Sequence, residues 1–300
     1  ENCTEFAHVV EESGLPAGVI NIVTGRGSVI GNEMAGSPKV DIVSVTGSVS
    51  AGESIMKAAA NNITKVSLEL GGKAPAIVFP DADLEASAQW ILDSRIGNNG
   101  QICNNAERVY VHKDIKKEFT DILLRKFEAV KVGDPCKDHT VDMGPLVEKR
   151  ALESVEAKVE NAIKQGAKVL CGGHRVGDKG YFYAATLLDN CTQDMDIIHE
   201  ETFGPVLPIV EFEDTDQVIA WANDVEYGLA SSVFTKDIDT AAKVTRGLEF
   251  GETYINREHF EAMQGFHAGV KKSGIGGADG KHGVEEYLVT HVTYLDTHYE

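Results

Sequence analysis

The sequence predicts an α/β fold built on a doubly wound, largely parallel sheet. Short β-branched runs such as Val19-Ile20-Asn21-Ile22-Val23 alternate with segments whose apolar residues recur every three or four positions. Strands separated by helices require crossover connections, which are right-handed and return the chain parallel to itself. The third observation is size: 300 residues, 42% apolar and 25% charged, give a soluble globular chain core enough for one large domain or two ordinary ones.

The elements follow in order. A first helix carries Phe6, Val9 and Val10 and stops at Gly14-Leu15-Pro16, and the 19–23 run reads as a buried strand. Gly25-Arg26-Gly27 turns into a short helix, Val40 to Val45 forms a strand, a helix surrounds Gly52 to Ala60, and Lys65 to Leu70 is a third strand. Residues 1–71 thus form one α/β unit. A second runs from 72 to 255. Its helix over Asp81–Ile96 has Asp81 or Asp83 as cap, and the next carries Ile115, Phe119, Ile122, Leu123 and Val130. A third places Leu152, Val155, Val159, Ala162 and Ile163 on one face and stops at Gly166, with strands at Arg108–Val111, Lys168–Cys171 and Leu207–Phe212. The tail, 256–300, holds a glycine-rich loop, a turn or two of helix and a β-rich end at Leu288–Leu295.

Charge and cysteine usage narrow the function classes. A net charge of −19 gives no basic face for nucleic acid or an anionic membrane surface, so neither is expected as a partner. No apolar run reaches the ~18–20 residues that span a bilayer. Cys3, Cys103, Cys136, Cys171 and Cys191 are odd in number and widely spaced. That pattern fits a reducing, cytoplasmic setting and neither a disulfide framework nor a metal site. The chain opens on Glu1, directly in a helical pattern, and reads as the interior of a longer polypeptide.

Four segments carry chemistry. Cys103 lies in Gly100-Gln101-Ile102-Cys103-Asn104-Asn105, on a turn-rich loop where a thiolate is reachable by substrate and close to backbone N–H donors. Thirty-four residues earlier, Glu69 sits in an apolar strand that ends in Gly71-Gly72-Lys73. A carboxylate there must be paired or used, with Lys73 as the simple partner. Thr46-Gly47-Ser48-Val49-Ser50-Ala51-Gly52 joins a strand to a helix. It fits either a phosphate-approaching turn or an ordinary capped connection. Glu200-Glu201-Thr202-Phe203-Gly204-Pro205-Val206 reads locally as an acidic strand entry.

In family order and spacing these segments resemble the aldehyde dehydrogenase superfamily. The tail, with Glu261-Ala262-Met263-Gln264-Gly265-Phe266-His267-Ala268-Gly269 ahead of Lys272-Ser273-Gly274, is most similar to its bacterial lactaldehyde (glycolaldehyde) subgroup. The resemblance implies part of a Rossmann-type cofactor domain, an α/β catalytic domain and a C-terminal strand that builds dimers or tetramers. It implies Cys103 as nucleophile and Glu69 as general base. Thr46, Gly47, Ser48, Gly52, Leu70, Glu201 and Phe203 would hold NAD, with NADP left open. Asn104, Glu261 and His267 would meet a small 2-hydroxyaldehyde.

The implied chemistry passes through a thiohemiacetal and a thioester to the free acid. The family's oxyanion asparagine and ribose-binding lysine belong to segments that this sequence lacks, so the chain is expected to be inactive unless they are supplied. Two alternatives stay open. One is a semialdehyde dehydrogenase using Arg257, and the other is a non-catalytic assembly subunit.

Overall fold

The computed structural model describes residues 2–258 and 260–297, residues 2–4 by their backbone alone; Glu1 and the Cys3 side chain lie outside the described residues. In chain order the helices and strands are α1 (Asn2–Glu12), α2 (Gly27–Ala35), β1 (Ile42–Thr46), α3 (Val49–Ala59), β2 (Lys65–Glu69) and β3 (Ala74–Val78). Next come α4 (Leu84–Ile96), β4 (Ala106–His112), α5 (Lys116–Glu128), α6 (Lys149–Gln165), β5 (Lys168–Cys171) and β6 (Thr186–Cys191). The last are α7 (Asp196–His199), β7 (Val206–Phe212), α8 (Thr215–Asn223), β8 (Ala230–Phe234), α9 (Ile238–Gly247), β9 (Glu252–Ile255), β10 (Gly274–Ile275) and α10 (Gly280–Glu285).

Two compact units divide the chain, one of residues 1–43 and 53–66, the other of 44–52 and 67–300. In the smaller unit the run at 19–23 is not a strand. Its side chains stand open, Val23 at 70% exposure, because a parallel strand forms only beside another and none among the described residues pairs with this run. Among the described residues Leu288–Leu295 likewise forms no strand, and Val289 is 94% exposed.

The larger unit is built on a seven-stranded sheet in the order β5-β6-β7-β4-β3-β8-β9. Its neighbours run parallel except for β5 with β6. Alternation along each strand divides the core between two faces. Ala76, Val78, Val109 and Val111 pack with α4 and α5 through Ile91, Leu92, Phe119 and Leu123. Ile77, Tyr110, Val210 and Val233 face Leu152, Val155 and Val159 of α6, Val218 of α8 and Val244 of α9. Asp83 caps α4 by accepting the Ala86 N–H at 3.1 Å, and α6 ends at Gly166 with φ 112°. A separate three-stranded sheet has the order β1-β2-β10, and β10 runs antiparallel to β2 with Gly274 opposite Glu69.

Beneath the connecting loops lies a buried ionic centre. Glu107 of β4 accepts the Lys73 ammonium at 2.7 Å and the Arg95 guanidinium at 3.0 Å, with all three side chains at most 1% exposed. Its two oxygens also accept the backbone N–H groups of Thr202 (3.0 Å) and Phe203 (3.1 Å). Arg95 donates in turn to the carbonyls of Ala106, Gly100 and Gly204. Burial raises the carboxyl, but the two cations overcome it and hold Glu107 down at about 2.

Removing the carboxylate leaves two buried cations facing each other. Glu107→Gln is expected to cost about 3–5 kcal/mol in chemical denaturation. Because the folded carboxyl titrates at about 2 against an ordinary 4.5, its contribution is complete above 4.5 and lost as pH falls toward 2. The variant should therefore lose less stability than the parent across that acid window.

Candidate active site

The ionic centre positions the loops that carry the reactive side chains. Asn98, Asn99 and Gly100 take three successive left-handed conformations (φ 46°, 60° and 74°), a local shape that Asn and Gly adopt at least cost. At Gly100 a Cβ would lie 2.3 Å from the Gly204 carbonyl oxygen and 2.4 Å from the Arg95 guanidinium, so only glycine fits. The turn then delivers Cys103, half-buried and free. Across from it, the β2 strand ends in Glu69, 9% exposed, and its Gly71-Gly72 turn runs against the cysteine loop. A Cβ on Gly72 would meet the Cys103 carbonyl oxygen at 2.3 Å.

The tail fixes this turn from the far end of the sequence. Ser273 accepts the Leu70 N–H on its carbonyl at 2.8 Å, and its hydroxyl donates to the Gly71 carbonyl at 2.7 Å. The same hydroxyl accepts the Gly228 N–H at 2.8 Å. Glu201 reaches in from the opposite side, its Oε1 accepting the Gly72 N–H at 2.9 Å. Burial, reinforced by the Glu107 charge, raises Glu201 to about 7.

A cavity of roughly 810 Å³ opens over these groups. Thr46, Gly47, Ser48, Leu70, Gly71, Cys103, Glu201 and Phe203 line it together with Gln101, Val147 and Arg150. Phe203 is held at φ 51° and remains 40% exposed. Gly52 does not line the cavity. A Cβ there would strike Leu70 at 2.6 Å, so Gly52 lets the start of α3 close on the end of β2.

A polar cluster adjoins Cys103. The His267 ring is hydrogen-bonded to the Cys103 thiol and to Glu252, with Nδ1 2.9 Å from Glu252 Oε1. His267 Nε2 lies 3.6 Å from Glu69 Oε2. Asn104 Nδ2 donates to Glu261 Oε2 at 3.3 Å. Burial raises the Glu69 carboxyl to about 7, with His267 opposing the shift. Bonding to Cys103 and Glu252 outweighs burial at His267 and raises it to about 11.

The structure thus gathers Cys103 with Glu69, His267, Asn104 and Glu261 on one hand, and with the lining group from Thr46 to Phe203 on the other. Lys73 is not the partner of Glu69; it belongs to Glu107. Sequence reasoning overlooked Arg95, Glu107 and Glu252. A signal for Glu107 was present, since Glu107 and Arg108 are adjacent charges in an otherwise apolar strand, Ala106 to Val111.

Residues 2–293 match the aldehyde dehydrogenase family. The chain belongs to that family. It is 58% identical over 296 residues to the lactaldehyde dehydrogenase of Escherichia coli K12, covering 99% of this chain and 62% of that one. It is 47% identical to the 3,6-anhydro-alpha-L-galactose dehydrogenase of Vibrio sp. EJY3, across 97% of this chain and 62% of the relative.

The crystal structure of the E. coli lactaldehyde dehydrogenase superposes with a TM-score of 0.96 at 58% identity, covering 98% of this chain and 62% of that one. A Staphylococcus aureus betaine aldehyde dehydrogenase, solved in complex with NAD+, gives 0.91 at 39% identity, across 95% and 59%. The fold is therefore that of an aldehyde dehydrogenase, and the chain spans about three-fifths of the length of these relatives.

The close approach at Gly72 makes a sharp test of the geometry. Gly72→Ala should lower thermal stability by about 1–3 kcal/mol through overpacking and change the alkylation rate of Cys103, whose carbonyl must move. Gly27→Ala, where a Cβ meets nothing, should leave that rate as it is.

Proposed function

We propose that this site serves the NAD-dependent oxidation of a small 2-hydroxyaldehyde of the lactaldehyde or glycolaldehyde type to its carboxylic acid. The observation that carries the reading is the position of Cys103, at once on the wall of the large cavity and beside the His267, Glu69, Asn104 and Glu261 groups. The cavity wall suits a dinucleotide. It offers an open glycine turn at Thr46-Gly47-Ser48, a half-exposed Phe203 ring and a half-buried Glu201 carboxylate for a ribose hydroxyl. Leu70 shapes the same wall, and Gly52 supports it from behind. NADP is named for the D-glyceraldehyde dehydrogenase of Picrophilus torridus, 39% identical over 95% of this chain and 58% of that one; NAD is the cofactor proposed here.

The steps follow from the groups present. Cys103 Sγ adds to the aldehyde carbon and forms a thiohemiacetal, whose oxyanion takes a hydrogen bond from the Cys103 backbone N–H. NAD, when bound, supplies the hydride acceptor whose action leaves a thioester on Cys103. Glu69 then removes a proton from water, the water oxygen attacks the thioester carbon, and Cys103 leaves as the thiolate. A carboxyl raised to about 7 is matched to that task at neutral pH. Asn104, Glu261 and His267 present polar atoms for the 2-hydroxyl group. Arg257 does not offer itself to a carboxylate substrate, because its guanidinium donates to the Phe260 carbonyl and lies over the Tyr254 ring.

The exposed apolar end at Val289, Tyr294 and Leu295 supports a homo-oligomer, dimer or tetramer, in which a neighbouring subunit covers it. Cysteines left free at Cys103, Cys136, Cys171 and Cys191 fit a cytoplasmic setting.

The test is NADH formation from lactaldehyde or glycolaldehyde with NAD, using Cys103→Ala as the control. NADH made by the parent and lost in the variant is the expected result; no NADH from either, with folded protein, sinks the reading for the chain as it stands. Glu69→Gln should keep a first-turnover burst while steady turnover falls by about 10²–10⁴-fold. Since Glu69 is a base only when ionised, steady turnover in the parent should fall about tenfold per unit of pH below 7.

A further inference from the structure

Among the described residues neither oxygen of the Glu69 carboxyl accepts a hydrogen bond. What faces it is the His267 ring, whose Nε2 lies 3.6 Å from Glu69 Oε2. The ring is held from its other side, where Nδ1 lies 2.9 Å from Glu252 Oε1. Tyr254 occupies the second Glu252 oxygen by donating its hydroxyl to Oε2 at 2.7 Å. The side chains of Glu69, His267 and Glu252 are 11%, 13% and 12% exposed, so water screens their charges poorly.

The backbone leaves this row little play. The His267 N–H donates to the Ala278 carbonyl at 2.9 Å, and the Ala278 N–H donates back at 2.8 Å. A Cβ on Gly277 would meet the His267 carbonyl oxygen at 2.4 Å. Between these residues the same tail segment supplies Gly274, which pairs with Glu69 on β2. One segment therefore carries the ring and borders the strand of the carboxylate.

We propose that His267 is a positioning residue for Glu69: clamped by Glu252, it sets a cationic Nε2–H against the carboxylate and keeps it ionised and in place. This rests on Glu69 being the base of the reaction proposed above. A neutral ring with its proton on Nδ1 would turn a lone pair toward Glu69, whereas an imidazolium turns an N–H. The remaining charges near Glu69 are Glu252 of β9 and Asp279 of the tail, and both act with burial to raise its carboxyl. His267 opposes all three. Cys103 is the ring's other titratable neighbour. Without the ring's charge, burial and the two carboxylates would lift Glu69 above its present value of about 7 and leave it mostly protonated at neutral pH.

Carboxyl 13C NMR of the glutamate-labelled chain from pH 5 to 10 tests this without cofactor or aldehyde, with Glu69→Gln identifying the signal. The parent should titrate near 7. His267→Gln should titrate about one pH unit or more higher, and His267→Lys, which restores a cation, should return toward the parent. A midpoint unmoved in folded His267→Gln overturns the proposal. If that variant fails to fold, the ring 15N signals of the parent decide. Both His267 nitrogens protonated at pH 8, where an ordinary imidazole is neutral, is the expected result, and a neutral ring overturns it. An unmoved midpoint with NADH formation intact removes the ion pair alone, whereas a raised midpoint in a folded chain that makes no NADH removes the dehydrogenase reading and leaves the ion pair.

Discussion

One buried carboxylate, that of Glu107, holds the loops around Cys103 together. It is reached by Lys73 from the turn after Glu69, by Arg95 from α4 and by two N–H groups from the Glu201–Phe203 loop. Through Arg95 it also governs the carbonyls of Gly100 and Gly204. Three segments far apart in sequence are thereby tied to a single point beneath the cavity. In low dielectric such a centre is costly to assemble and more costly to leave half-made. It favours one arrangement of the loops over looser ones and stiffens the surroundings of Cys103.

Around that point the site divides its labour by environment. Glu69 and Glu201 are both carboxylates raised to about 7, yet for different reasons. Glu69 is desolvated beside a cationic ring, with neither oxygen hydrogen-bonded. Glu201 spends one oxygen on a backbone N–H and feels the charge of Glu107. The first arrangement leaves a carboxyl with both oxygens open to a new partner; the second makes a rigid acceptor on the cavity wall.

Much of this was legible in the sequence, and the omissions have physical causes. The long amphipathic helices α5 and α6 announce themselves by periodicity, and α4 by its Asp83 cap, so their bounds fall close to expectation. β3 escaped notice because Pro75 follows a glycine turn and the run is short; the strand accommodates the missing N–H with a register shift at Ala74/Pro75. β8 was hidden by Ser231 and Ser232, fully buried serines, the first satisfied by the Glu252 carbonyl and Thr253. The 19–23 run shows the opposite failure: strand propensity without a partner strand yields no strand. Cys103, Glu69 and the Glu201 loop stood out as motifs. Glu107 left only a pair of adjacent charges in an apolar strand, and Arg95 and Glu252 left nothing, because their partners are three-dimensional neighbours with no local spacing to read.

The Ser273 hydroxyl carries a consequence for biosynthesis. It bonds to Gly71 across 202 residues of sequence, and β10 beside it supplies the edge against which Glu69 is registered. The turn bearing the base is therefore one of the last parts of this unit that a ribosome can complete. The seven-stranded sheet has β9 as its final strand and can pair fully before that serine is translated. A nascent chain would thus present a folded scaffold with its chemistry still unassembled. Cys103 and the Glu69 turn, on this account, reach their final arrangement only when the tail has docked.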